Sequence, residues 1–391
     1  MKVDRVGMSG KLLGQISQEY FEESGVRVEF EATEMDTSVR LTKTQQYLNS
    51  RSTGIDVFEI DVIWPGLIGD QLLDLTPSMK GSFADFLPSL IQNNTYTGRL
   101  VAIPYYVDFG LLYYRTDLLA KYGYEAPPAT WAELEEMAAR IQAGEREAGV
   151  ADFHGFVFHG AAREGLTCAF LEWSASDGGG TMVEPDGTIS INNPKAAAAI
   201  DRAARWMGTI TSSDALSMDE EGARIAFQGG HAAFMRNWTY AYAYMNQGDS
   251  GVRGKFAVTQ IPAGETGHRA TLGGWQLAVS RYSTHTAEAT RFALWMTDRK
   301  NQLRRAVEGG YAPTRPSLYA SPELREAMPH FANVLPMLEQ SCVRPSTVTG
   351  PSYPQISSAT YSTVHRALKG EMTGAEAVAH LDKTYREILG Q

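Results

Sequence analysis

Cysteine is nearly absent: the 391 residues hold two, Cys168 and Cys342, far apart in the chain. So few cannot staple a disulfide framework, and they suit one bond in an oxidising compartment as well as two buried thiols. Positive charge is also short, with 35 Lys and Arg against 45 Asp and Glu and a formal charge of -10. Phosphate backbones are held by clustered cations, so nucleic acid is excluded as a partner. No apolar run approaches the ~18 residues that a membrane-crossing helix needs. Internal repeats and low-complexity tracts are lacking too.

Complete catalytic motifs are missing as well. The Gly-Lys pair of VGMSGKLL would need glycine where Arg5 stands and Ser or Thr where Leu12 stands to form a phosphate loop. Lys11 occupies the place of the second glycine of a nucleophile elbow. The eight histidines form no HExxH pattern and no Cys-His spacing suited to zinc. The sequence therefore calls for no catalytic residue, no cofactor and no metal. The chain opens with MKVDRV and enters a strand at once, which predicts no signal peptide in the chain; an exported protein would have shed its leader before this point.

What is present is a length too great for one ordinary core, and 43% hydrophobic residues to fill two. Strand patterns at Val3 to Met8, Val26 to Thr33 and Ile55 to Val62 alternate with helical ones at Lys11 to Ser24 and Val39 to Arg51. That order predicts an α/β fold with a mostly parallel sheet, and ligands beyond the strands' carboxyl ends. Thr130 with Glu133 reads as a capping box opening a helix to Gly149. Further helices are predicted at Asn193 to Ile210, Glu220 to Gly230 and Thr284 to Val307, with strands at HAAFMRN and GKFAVTQIP. A sheet domain interrupted by a helical block and then resumed makes the chain cross between lobes more than once, as a hinge does.

One strand is marked by what interrupts it. RATLGGWQLAVS (Arg269 to Ser280) places Gly273 and Gly274 before Trp275, where a strand interior loses stability from glycine. The glycines predict a close approach to bare backbone beside an aromatic face.

The ordered motifs DVFEIDVIWPGLIGDQLLDLTP, AIPYYVDFGLLYYRTDLLAKYGYEAPPATWAELEEMA, EGLTCAFLEWSASDGGG, AFQGGHAAFMRNWTYAY and TLGGWQLAVS resemble the extracellular solute-binding proteins of bacterial ABC sugar importers, nearest the maltose/trehalose-type branch. The likeness runs from about Val26 to Ser317. It implies a periplasmic-binding-protein fold of the class II type, two α/β lobes joined by a multi-segment hinge and closing like a trap. Residues 1–108 with about 268–315 would form the N-terminal lobe, and 109–267 with about 316–391 the C-terminal lobe. The protein would be an exported, extracytoplasmic monomer and no enzyme, binding a carbohydrate in the inter-lobe cleft and passing it to the transmembrane permease subunits.

A sugar offers a belt of hydroxyls and an apolar C–H face, so carboxylates paired with flat aromatic rings suit it. Asp61, after a buried strand and before Trp64-Pro65, should emerge at the cleft edge unless it serves a turn. Asp108 follows Tyr105 and Tyr106 at the first expected crossing, with Tyr106 a further ligand candidate. Trp275 is the expected stacking platform, beside Gly273 and Gly274. Trp238 matches a second aromatic wall, and Arg40 and Arg344 match positions that fork onto hydroxyls or brace carboxylates.

Two departures from the family bear on the substrate. Ser9 and Lys11 stand where an acidic or amide side chain is usual, and Arg163 where a tyrosine is, so a modified or anionic sugar enters the field. Two other functions compete with transport: a glycoside hydrolase using Asp61 and Asp108, and a receptor of the same fold for a non-sugar solute.

Overall fold

The computed structural model describes residues 2–5, 10–34 and 36–391. Its strands, in chain order, are β1 (Lys2–Arg5), β2 (Glu29–Ala32), β3 (Val57–Asp61), β4 (Thr95–Tyr96), β5 (Arg99–Leu100), β6 (Ile103–Arg115), β7 (His154–Val157), β8 (Ala232–Trp238), β9 (Phe256–Gln260) and β10 (Leu272–Val279). The chain divides into two compact units, Met1–Asp108 with Gly273–Ala332 and Phe109–Leu272 with Asn333–Gln391. Strand β6 begins in the first and continues into the second.

In the first unit β1 pairs in parallel with β2 and with β3, while β10 runs antiparallel to β3. All five residues of β3 are buried, as a central strand covered on both faces requires. Only the middle of the expected second strand forms, and β2 is mostly exposed because it is the edge. Helix Gly10–Ser24 turns Ile16 and Tyr20 onto Val57, Leu277, Val279 and Phe292 to make the core. Helix Thr37–Asn49 starts where the Asp36 carboxylate accepts from the Ser38 and Val39 amides. The helical stretch expected over 284–307 is two helices, Thr286–Met296 and Arg299–Gly309. Thr297 turns its hydroxyl back to the Ala293 carbonyl, and Asp298 caps the second through the Asn301 amide.

In the second unit β6 lies between β8 and β9, antiparallel to both, and β7 pairs in parallel with β8. The expectation of mostly parallel sheets is thus corrected to mixed ones. A parallel neighbour needs a crossover, which the helices between β7 and β8 supply, but β6 arrives from the other unit and is met head-on. Helix Trp131–Glu147 opens with the anticipated Thr130–Glu133 capping box, worth ~1 kcal/mol. Helix Glu164–Ser176 is buried along nearly its whole length, and its Trp173 meets Phe158 and Trp206 edge-on at 5.5 Å.

At the later crossings the first unit takes up the chain at Gly273 and gives it back after Ala332. Residues 268–272 stay with the second unit, where the Leu272 amide donates to the Cys342 carbonyl at 2.9 Å and the Thr271 hydroxyl to that of Cys168 at 2.8 Å. The segment after 315 stays with the first, held by Arg315 Nε on the Thr297 carbonyl at 3.0 Å and by the Tyr319 hydroxyl on that of Pro313 at 2.7 Å.

Candidate ligand site

The first unit gathers five of the twelve expected contact residues around the end of β3. Asp61 is the last residue of that strand, and the antiparallel ladder sets Trp275 of β10 opposite it. Asp61 also makes the turn that follows: its Oδ1 accepts from the Ile63 amide at 3.1 Å and its carbonyl from the Trp64 amide at 2.9 Å. This throws the Trp64 ring edge-on to Trp275, centroids 5.7 Å apart at 80°. Trp64 is buried, whereas Trp275 alone in β10 is only half-buried, packed against the core on its inner side.

Arg40 is 1% exposed and reaches this cluster from below. It donates to the Glu59 carbonyl at 2.5 Å, and its guanidinium carbon lies 4.2 Å from the centre of the Trp275 ring. A planar cation over an indole is attractive and rigid, so Arg40 braces the aromatic platform. Tyr106 is buried with its hydroxyl 3.4 Å from Glu59 Oε1; burial, then the Glu59 charge, pushes that phenol well above its ordinary range, so it stays a neutral donor. Asp108, also buried, is the last residue of this unit before the chain crosses.

Gly274 has φ +119°, and a Cβ there would stand 2.5 Å from the Tyr106 carbonyl oxygen and 2.9 Å from the Val107 Cα. The backbone that approaches it is therefore β6, not a ligand. The sequence logic of close approach holds, but the partner is a protein strand. Gly273, also buried, precedes it in β10.

The second unit holds a separate cluster around Trp238, the half-buried last residue of β8. The Arg236 guanidinium carbon is 4.1 Å from the Trp238 ring centre, and the His159 ring lies parallel to that indole at 6.4 Å. Arg236 grips Glu172 through Nε at 2.9 Å and again through Nη2, and its Nη1 is 3.1 Å from His159 Nε2. Arginine has no acceptor, so that imidazole nitrogen must accept and the ring is neutral. Burial first, and Arg236 second, drive the His159 pKa well below the ordinary histidine range. Desolvation pushes the nearby Glu220 carboxyl up, against the pull of Arg236 and a hydrogen bond from Trp238.

Arg163 precedes helix Glu164–Ser176 and lies 3.4 Å from Asp219; both side chains are more than a third exposed, so the pair contributes little stability. Arg344 is instead 3% exposed, with Nη1 2.9 Å from Glu164 Oε1, which also accepts from the Tyr353 hydroxyl at 2.5 Å. Ser9 lies outside the described residues. Lys11 sits in the first helix, and its side chain is not among those described.

The structure thus joins Arg40, Asp61, Tyr106, Gly274 and Trp275 in one cluster, while Trp238, Arg163 and Arg344 belong to the other unit. Sequence reasoning passed over Glu172 and Arg236. Their signal was a charge inside an apolar run, CAFLEWSAS and AAFMRNW, since a buried charge demands a partner. Both cysteines are free and buried. Among the described residues no three or more His, Cys, Asp and Glu side chains gather as a metal site would require, and no helix is long and apolar enough to cross a membrane.

Comparison with known proteins bears on what these clusters serve. Residues 10–303 match the family described as bacterial extracellular solute-binding protein. A probable ABC transporter-binding protein of Deinococcus radiodurans is 41% identical over 390 residues, 99% of this chain and 93% of that relative. The structure of maltose-bound MalE3 of T. maritima superposes with a TM-score of 0.93 at 34% identity, covering 99% of this chain and 98% of its own. A mannitol-binding protein of Pseudomonas aeruginosa is 24% identical over 343 residues, 83% of this chain and 75% of that protein.

Proposed function

The chain belongs to the bacterial extracellular solute-binding proteins, and on that premise we propose that it binds a carbohydrate and delivers it to the membrane subunits of an ABC importer. It is a binding protein rather than an enzyme, and it works outside the cytoplasm. The observation that carries the reading is Trp275: a half-buried indole, fixed from behind by Arg40 and edge-on by Trp64, facing Asp61 across the ladder. A ring held so rigidly can cover the C–H face of a sugar at little entropic cost, with carboxylate acceptors near for the hydroxyls.

In this proposal the fold is of the two-lobe, class II type. The chain passes between units after Asp108, Leu272 and Ala332, and several such crossings suit a hinge. A ligand touched by residues of both units, Trp275 and Asp61 of one and Trp238 of the other, would favour a closed population, because a ligand shifts an equilibrium only through differential contacts.

The test is thermal denaturation with maltose, mannitol and glucuronic acid, followed by calorimetry of any sugar that stabilises. One-to-one binding without turnover of the sugar is expected, with stabilisation growing with ligand excess over Kd. A melting temperature indifferent to neutral and acidic sugars alike would overturn the reading.

A further inference from the structure

The Glu172–Arg236 pair has no part in holding a sugar, yet it lies behind the one aromatic side chain of the second unit proposed to do so. Arg236 and Trp238 are two residues apart in β8 and so project from the same face. This brings the guanidinium carbon over the indole, 4.1 Å from its centre, while the Nε–Nη2 edge is locked on Glu172. Both charged side chains are essentially unexposed, at 1% and 0%. Burying such a pair is costly and often no more stable than an apolar substitute, so its use here calls for a role beyond stability.

The surroundings indicate that role. Gly110 of β6 is in register with Trp238, and a Cβ on it would stand 2.1 Å from Glu172 Oε1 and 2.8 Å from Arg236 Nη2. The pair thus dictates glycine at that position. Glu172 Oε1 also accepts from the Thr271 amide at 3.1 Å. Gly110 comes just after the chain enters this unit at Phe109, and Thr271 just before it leaves at Leu272. One ion pair therefore touches an aromatic ring and both strands at their points of passage.

We propose that Arg236 is a positioning residue for Trp238, with Glu172 anchoring it so that the indole's orientation and the placement of the Gly110 and Thr271 backbones are set together. Its consequence for ligand affinity rests on the function proposed above, while its effect on the ring does not. Lysine at 236 would keep the charge opposite Glu172 but lose the planar face and the second bond.

The experiment labels the seven tryptophans with 5-fluorotryptophan and identifies the Trp238 fluorine resonance by its loss in Trp238→Phe. In Arg236→Lys, folded by circular dichroism, the Trp238 resonance is expected to move or broaden while those of Trp64 and Trp275 hold. Affinity for maltose, used as the probe, should fall about tenfold, the scale of one misplaced aromatic contact. General destabilisation would lower the melting temperature without singling out Trp238. Should Arg236→Lys not fold, Glu172→Gln makes the same test with the shape of the pair kept, by removing the charge that anchors Arg236. A Trp238 resonance unmoved in the folded variant would overturn the inference. If the unaltered protein binds no sugar, the proposed function falls, but the resonance still decides what Arg236 does.

Discussion

The carbonyl oxygen of Tyr106 occupies the space beside Gly274 where any other residue would carry its Cβ, 2.5 Å away. Gly274 also holds φ +119°, a conformation that side chains rarely adopt. Steric pressure and backbone strain therefore coincide at one residue.

Gly274→Ala should lower the unfolding free energy by at least about 2 kcal/mol, the sum of strain and a backbone clash that no rotamer relieves. Gly25→Ala is the control, with φ +72° but open space around it, and should cost only about 1 kcal/mol. Urea denaturation of both variants measures the difference. Equal losses would mean that β6 can yield to the extra methyl.

Trp275→Ala should weaken binding of whichever sugar stabilises the protein by tenfold or more, ~1.4 kcal/mol. Arg40→Met, which removes the cation under the ring but keeps much of its bulk, should weaken it less. Calorimetry reads both, with near-ultraviolet dichroism confirming the fold. Unaltered affinity in Trp275→Ala would assign the indole to packing alone.

Cys168 and Cys342 should resist thiol reagents in the native protein. Burial raises both thiols, Cys342 to about 12 and Cys168 further, and only a thiolate attacks. Dithionitrobenzoate should release no colour within minutes at pH 8 and two equivalents in guanidinium. Rapid reaction without denaturant would show that these sites open.

Stability should fall as the pH drops below about 6.5. Burial holds His330 down to about 3, so the folded chain refuses a proton that the unfolded chain accepts near the ordinary value. The unfolded state then binds more protons, and His330 costs roughly 1.4 kcal/mol per pH unit below ~6.5, levelling only near its folded pKa. His159, well lowered by burial and Arg236, acts in the same sense, while the raised Glu220 opposes them. Subtracting the unfolding free energy of His330→Phe from that of the unaltered protein at pH 7.5, 6.5 and 5.5 isolates the one group. A difference that stays flat would show that His330 takes up its proton in the fold as readily as in the unfolded chain.

Local signals were read well where the cause is local. The Thr130–Glu133 box, the buried β3 and the helix from Lys11 onward rest on neighbours a few residues apart, and a chain segment carries that information alone. Sheet direction did not, because β6, β8 and β9 come from distant segments and nothing within any of them encodes which way its partner runs. Each charge of the Glu172–Arg236 pair was visible inside its own apolar run, but their pairing was not, its halves lying in different elements.

By itself, then, the order of residues determined the α/β class and the family, since these depend on residue type and spacing along the chain. Tertiary structure alone decided that Gly274 makes room for β6, that Arg40 underlies Trp275 and that Arg344 is spent on Glu164. A side chain's task is set by what long-range folding carries to within a few ångströms of it, and that distance is written nowhere in its own segment.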